Sequence, residues 1–75
     1  MRIRDMREDR DLTQQDIADY LFMRQNTYSQ YETGRRPIPI EAIIRLAEFY
    51  GTSVDYLLEL TDDPRPYPRR KKRRE

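Results

Sequence analysis

LTQQDIADYLFMRQNTYSQYETGRR, residues 12–36, holds two unlike helical patterns separated by a break. Thr13, followed three residues later by Asp16, is a capping-box-like start, so a helix is predicted over 14–21. On it Ile17, Ala18 and Leu21 fall at i, i+1, i+4 and form an apolar stripe, while Gln14, Gln15, Asp16 and Asp19 face outward. Phe22 and Met23 interrupt that pattern. Beyond them Tyr28 and Tyr31 are spaced i, i+3 on one face, and Gln25, Asn26, Ser29 and Gln30 make up the other. Gly34 suits the position after a helix end, and Pro37 and Pro39 cannot continue a helix, so this second element is predicted to stop near Thr33.

The flanking segments extend the helical reading in both directions. Ile3 and Met6 at i, i+3 predict a short first helix ending near Arg10. After the prolines, IEAIIRLAEFY (residues 40–50) carries the strongest periodicity of the chain. Its expected core stripe is Ile40, Ile43, Ile44, Ala47 and Tyr50, widened by Leu46 and Phe49. Gly51 fits the end of that helix, and Ser53 can cap a last one over 54–60. Five short helices without any alternating strand pattern predict one all-α domain over residues 1–61. The remainder, 62–75, is rich in proline and then basic, and is expected to be a tail with little regular structure.

A chain of 75 residues accommodates one domain, near the size at which a single core is barely sufficient. It contains no cysteine and no histidine, so disulfides, thiolate metal sites and the commonest general base are all missing. The carboxylates are spread over helix surfaces with no nucleophile or metal ligand beside them, and no enzymatic activity and no cofactor are expected. No apolar run approaches the roughly 20 residues that span a bilayer, and the start MRIRDMREDRD lacks the apolar core of a signal peptide. A cytoplasmic location is expected.

The net charge of +1 hides a division. Residues 1–63 carry eight basic and thirteen acidic side chains, a balance of −5, whereas residues 64–75 carry seven basic and one acidic, a balance of +6. Six consecutive basic residues, 69–74, follow Pro68. This run serves equally as a solubilising end, as a source of phosphate contacts that the folded part lacks, or as a strip that lies on an acidic partner or on its own acidic domain.

Two short helices joined by about three residues, the first apolar on one side and the second with a polar outer row, form the helix-turn-helix plan. The first helix holds the second so that its outer face can enter the DNA major groove. Residues 25–32 would be about 12 Å long as a helix, comparable to the roughly 12 Å width of that groove. Gln and Asn donate and accept together, matching adenine N6 and N7. The stretch RQNTYSQYE (residues 24–32) therefore has two readings, an exposed polar helix or a surface that reads bases. A merely solvated face more often carries Glu and Lys, the better helix formers.

Taken together, LTQQDIADYLFMRQNTYSQYETGRR and IPIEAIIRLAEFYGTSVDYLLEL resemble the helix-turn-helix family of phage Cro and cI repressors and their bacterial relatives, the XRE family. The resemblance runs from about Ile3 to Leu60 and rests on Leu12-Thr13-Gln14, Ala18, Leu21, Tyr31-Glu32 before Gly34, Leu46-Ala47 before Gly51, and Tyr56-Leu57-Leu58. It implies a five-helix, lambda-repressor-like DNA-binding domain and a transcriptional regulator, in most cases a repressor. By position, Gln25, Asn26, Ser29 and Gln30 match base-facing sites. Gln14, Arg24, Thr27, Arg35 and Arg36 match backbone-contacting sites, Gln14 also bracing the first reading residue. Arg7 and Glu32 match a structural ion pair between the first and third helices.

The sequence departs from the family pattern at two places. Phe22 stands where glycine is usual in the turn, with burial of its ring as the expected compensation, and Arg24 stands where a Ser or Thr usually caps the reading helix. The expected partner is double-stranded DNA carrying an inverted repeat, bound by a homodimer that pairs through Tyr56, Leu57, Leu58 and Leu60 of the last helix. The rival reading is an antitoxin-like or protein-interaction module with a protein partner. A positive rim of Arg24, Arg35 and Arg36 around the third helix favours DNA, and an acidic or apolar surroundings favours protein.

Overall fold

Thr13 initiates the second helix by a complete capping box: its hydroxyl accepts from the Asp16 amide at 3.0 Å, and its own amide donates to the Asp16 carboxylate at 2.9 Å. From such local signals the computed structural model, which describes residues 1–68, builds five helices. They are α1 (Ile3–Asp9), α2 (Gln14–Tyr20), α3 (Gln25–Glu32), α4 (Ile40–Tyr50) and α5 (Val54–Leu57). No strand occurs among the described residues, and none of these helices is long and apolar enough to cross a membrane. The basic run 69–74 lies outside the described residues.

One device ends every helix. A residue with positive φ follows the last turn, and two amides reach back in the Schellman pattern. After α4, Gly51 (φ 67°) donates to Glu48 O and Thr52 donates to Ala47 O. After α3, Gly34 (φ 77°) donates to Tyr31 O and Arg35 to Gln30 O. The other three closures use Asp11 (φ 55°), Phe22 (φ 57°) and Glu59 (φ 64°), where a side chain must tolerate the left-handed region. The closure at Glu59 stops α5 at Leu57, three residues short of the Leu60 predicted from apolar spacing.

The core gathers Ile3 from α1, Ile17, Ala18 and Leu21 at α2, Tyr28 and Tyr31 from α3, and Leu57 from α5 around α4. On α4 the buried row is Ala42, Ile43, Leu46, Ala47 and Tyr50, rather than the stripe expected from spacing. Ile40, Ile44 and Phe49 are 67%, 44% and 41% exposed. The two alanines explain the register, since their small side chains let neighbouring backbones approach α4 closely. That rotates the larger Ile40–Ile44 row outward.

Residues 61–68 form neither helix nor strand, yet they are fastened to the α4–α5 corner. Thr52 Oγ1 donates to Pro64 O at 2.6 Å, and the Tyr67 hydroxyl donates to the Asp55 carboxylate at 2.5 Å. A Cβ added at Gly51 would meet no atom within 4 Å, so its requirement for glycine is conformational alone. Gly51→Ala should therefore cost about 1 kcal/mol, seen as a lower urea midpoint with an unchanged denaturant slope.

Candidate nucleic-acid interface

The last residue of α3, Glu32, is a carboxylate whose side chain is only 2% exposed. Such a group needs a cation and hydrogen bonds to remain ionised. Arg7 of α1 supplies both, its Nε donating to Oε2 at 2.7 Å and its Nη2 to Oε1 at 3.1 Å. The same guanidinium uses Nη1 to hold Leu12 O at 2.8 Å, closing the link between α1 and α2. Gln14, the first residue of α2, donates to Glu32 Oε1 at 3.0 Å. Its own amide oxygen accepts from Gln25 Nε2, the first residue of α3. One chain of bonds thus ties α1 to the end of α3, the end of α3 to the start of α2, and the start of α2 to the start of α3.

Burial pushes the Glu32 carboxyl upward, but the bonds from Arg7 and Gln14 and the nearby Tyr28 hydroxyl outweigh it, and the net shift is below its ordinary 4.5. Tyr28 lies beneath α3, fully buried, with its hydroxyl raised well above the usual phenol range by burial and then by Glu32. That hydroxyl is close enough to Glu32 to favour the carboxylate, yet neither it nor the Tyr50 hydroxyl meets a hydrogen-bonding partner in ordinary geometry. Burial and the same carboxylate push Tyr50 up to about 12.

Above this base α3 shows its polar row. Gln25 and Asn26 are exposed, and Thr27, Ser29 and Gln30 are half-buried on the outer side. No acidic residue occupies the first turn of α3, and Arg24 precedes it in extended backbone without a side-chain cap. The first amides of the helix are therefore left to an external acceptor. At the other end, Gln30 O accepts from the amides of both Arg35 and Arg36, at 2.9 and 3.2 Å, and from Thr33 Oγ1 at 3.3 Å. The arginine loop is thus fixed to the helix it follows. Arg24, Arg35 and Arg36 are exposed, and none has an acidic partner among the described residues.

The turn corrects one expectation. Phe22 has a left-handed backbone, but its ring is 86% exposed, so burial does not offset a conformational cost of about 1–2 kcal/mol. Instead Arg45 of α4 places its guanidinium 5.3 Å from the Phe22 ring and 4.9 Å from that of Tyr20. Arg45 Nη2 also donates to Tyr20 O at 3.0 Å, and the Tyr20 hydroxyl returns a bond to Arg45 O at 3.2 Å. Arg45 thus supports the turn from behind, a role that its place in the α4 periodicity did not signal. Among the described residues no group of His, Cys, Asp and Glu is arranged to hold a metal ion.

A helix-turn-helix family model matches residues 3–57, covering all five helices and this bonded unit. The chain belongs to the XRE-type helix-turn-helix family. It is similar to an uncharacterized HTH-type transcriptional regulator, YobD, of Bacillus subtilis, with 36% identity over 99% of this chain and 66% of that protein. It is also similar to the cryptic phage CTXphi transcriptional repressor RstR of Vibrio cholerae, with 39% identity over 76% of this chain and 51% of that protein. The HTH-type transcriptional regulator AnsR of Bacillus subtilis is 35% identical over 76% of this chain and 49% of its own length. The chain thus spans from about half to about two thirds of the length of these family members. No solved structure matches it significantly.

Removing either charge of the Arg7–Glu32 pair strands the other, so Arg7→Ala and Glu32→Ala should each cost roughly 3–5 kcal/mol in urea unfolding, while joint replacement by Met and Leu should cost far less than the sum. The pH dependence has a definite sign. Glu32 has a lower pKa folded than unfolded, so its contribution is fully present above its ordinary 4.5 and is lost as pH falls through the folded value. Glu32→Gln should accordingly be least stable relative to the parent near neutrality, and the gap should narrow in acid.

Proposed function

We propose that this chain is a sequence-specific DNA-binding transcriptional repressor that lays α3 in the major groove. The observation carrying the proposal is the two-faced α3, held from beneath by Tyr28 and Glu32 and braced at its first residue by Gln14. Gln25, Asn26, Ser29 and Gln30 take the base edges, where their amides and hydroxyl offer both donors and acceptors. Arg24, Thr27, Arg35 and Arg36 take phosphates on either side, and Gln14 contacts the backbone from the start of α2. The uncapped amides of α3 add a favourable site for a phosphate oxygen.

The arginine rim supports DNA over a protein partner, because it sits on a folded part whose balance is otherwise −5. The repressing sense is supported by the likeness to RstR, itself named a transcriptional repressor. One copy offers only about four base-reading side chains, which supports a homodimer on an inverted repeat with half-sites about one helical turn apart. Residues 1–61 supply the reading unit.

Selection of bound sequences from a random DNA pool tests the assignment, with an enriched inverted repeat as the expected result. Alanine at Gln25, Asn26, Ser29 or Gln30 should change which bases are preferred. Alanine at Arg35 or Arg36 should weaken all sequences alike and lower the salt slope by about one per lost phosphate contact. Identical effects of both sets on every sequence would show that α3 does not read bases.

A further inference from the structure

The last helix does not offer the pairing surface that its sequence suggests. Leu57 is fully buried in the core, and the Tyr56 ring is covered by the Arg2 guanidinium at 4.3 Å. The apolar surface lies elsewhere. Ile40 and Ile44 stand one turn apart on the outward row of α4. Past Ile44 that row opens into a groove of about 550 Å³, with Ala47 at its floor and Val54, Pro66 and Tyr67 along its far side. Tyr67 is 63% exposed although it is fixed by its bond to Asp55, so the groove wall is held in place and partly bare.

Charge says what covers it. Residues 48–63 contribute five carboxylates and no basic side chain, so the groove has an acidic border, with Glu48 in its lining. Two such faces brought together alone would repel. The chain, however, leaves the groove edge at Pro68 and continues directly into six consecutive basic residues, 69–74. Those residues reach roughly 20 Å at about 3.3 Å each, enough to pass from one copy to the facing one.

We propose that the Ile40–Ile44 row of α4 and the groove beside residues 61–68 form the surface on which a second copy of this chain docks. In that pair the basic run after Pro68 of each copy meets the acidic border of the other. The inference rests on the dimeric reading above and gives that dimer its interface. It also joins pairing to DNA binding, because Ile40 follows the loop of Arg35 and Arg36 by only a few residues, so pairing sets the separation of the two arginine rims.

Sedimentation of the full chain tests it. The parent should be dimeric, and Ile44→Glu should raise the dimer dissociation constant at least about tenfold by removing a central apolar anchor. The far more exposed Ile40→Ser should weaken pairing in the same direction without endangering the fold, and both variants should keep the helical circular dichroism and bind a single half-site. Lys71→Glu with Lys72→Glu should weaken the dimer at low salt and reverse its salt response, from weakening to strengthening with added salt. Folded Ile44→Glu and Ile40→Ser variants that pair like the parent would overturn the surface while leaving the dimeric reading intact. A parent that stays monomeric with and without DNA would overturn both. A tail variant that alters unfolding stability but not pairing would place the basic run on its own domain and overturn the exchange.

Discussion

A carboxylate that water barely reaches governs this domain. Glu32 stays ionised because Arg7 grips both of its oxygens, and that grip draws together three helices that are otherwise short and weak. None exceeds eight residues, too few to be stable alone in water. The apolar contacts between them fix distance loosely, whereas a bidentate ion pair fixes orientation. The angle of α3 against α2 therefore follows from a buried charge, while the cohesion follows from Tyr28, Tyr31, Ile17 and Leu46. A reading helix composed of poor helix formers is tolerable only with such support, because its own propensity contributes little.

Much of this was legible in the sequence where the signal is local. Thr13 with Asp16, Gly34 and Gly51 each announce a helix end by chemistry that needs no partner from elsewhere in the chain. Asp11, Phe22 and Glu59 perform the same closure without announcing it, since a left-handed backbone leaves no trace when the residue is not glycine. That is why α5 was expected to run on to Leu60, and why the exposed ring of Phe22 was expected inside. The register of α4 was misjudged for a different reason. Seven apolar residues in eleven leave several faces that periodicity alone could bury, and the choice falls to where Ala42 and Ala47 admit a neighbour.

The site was legible in its parts and less so in its connections. The outward row of α3 follows from helical spacing, and the places of Arg7, Glu32 and Gln14 follow from family resemblance. The support of Phe22 by Arg45 and the fastening of residues 61–68 to Thr52 and Asp55 join residues 12 to 25 positions apart. Nothing periodic marks such contacts, and Pro-Tyr-Pro at 66–68 reads as a loop until the bond from Tyr67 is seen.

The chain of bonds from Arg7 to Gln25 also has a direction. A guanidinium only donates, and the ionised carboxylate of Glu32 only accepts. Gln14 must then turn its NH₂ toward Glu32, which leaves its oxygen toward Gln25 and obliges Gln25 to answer with an N–H. A glutamine amide is nearly symmetric in shape, and a half-turn would exchange the donor and acceptor it shows to a base pair. Here that half-turn is forbidden from three residues away. The protonation state of a buried acid thereby sets the hydrogen-bonding sense of the first side chain on the reading surface, so that electrostatics inside the domain determines the donor and acceptor pattern displayed outside it.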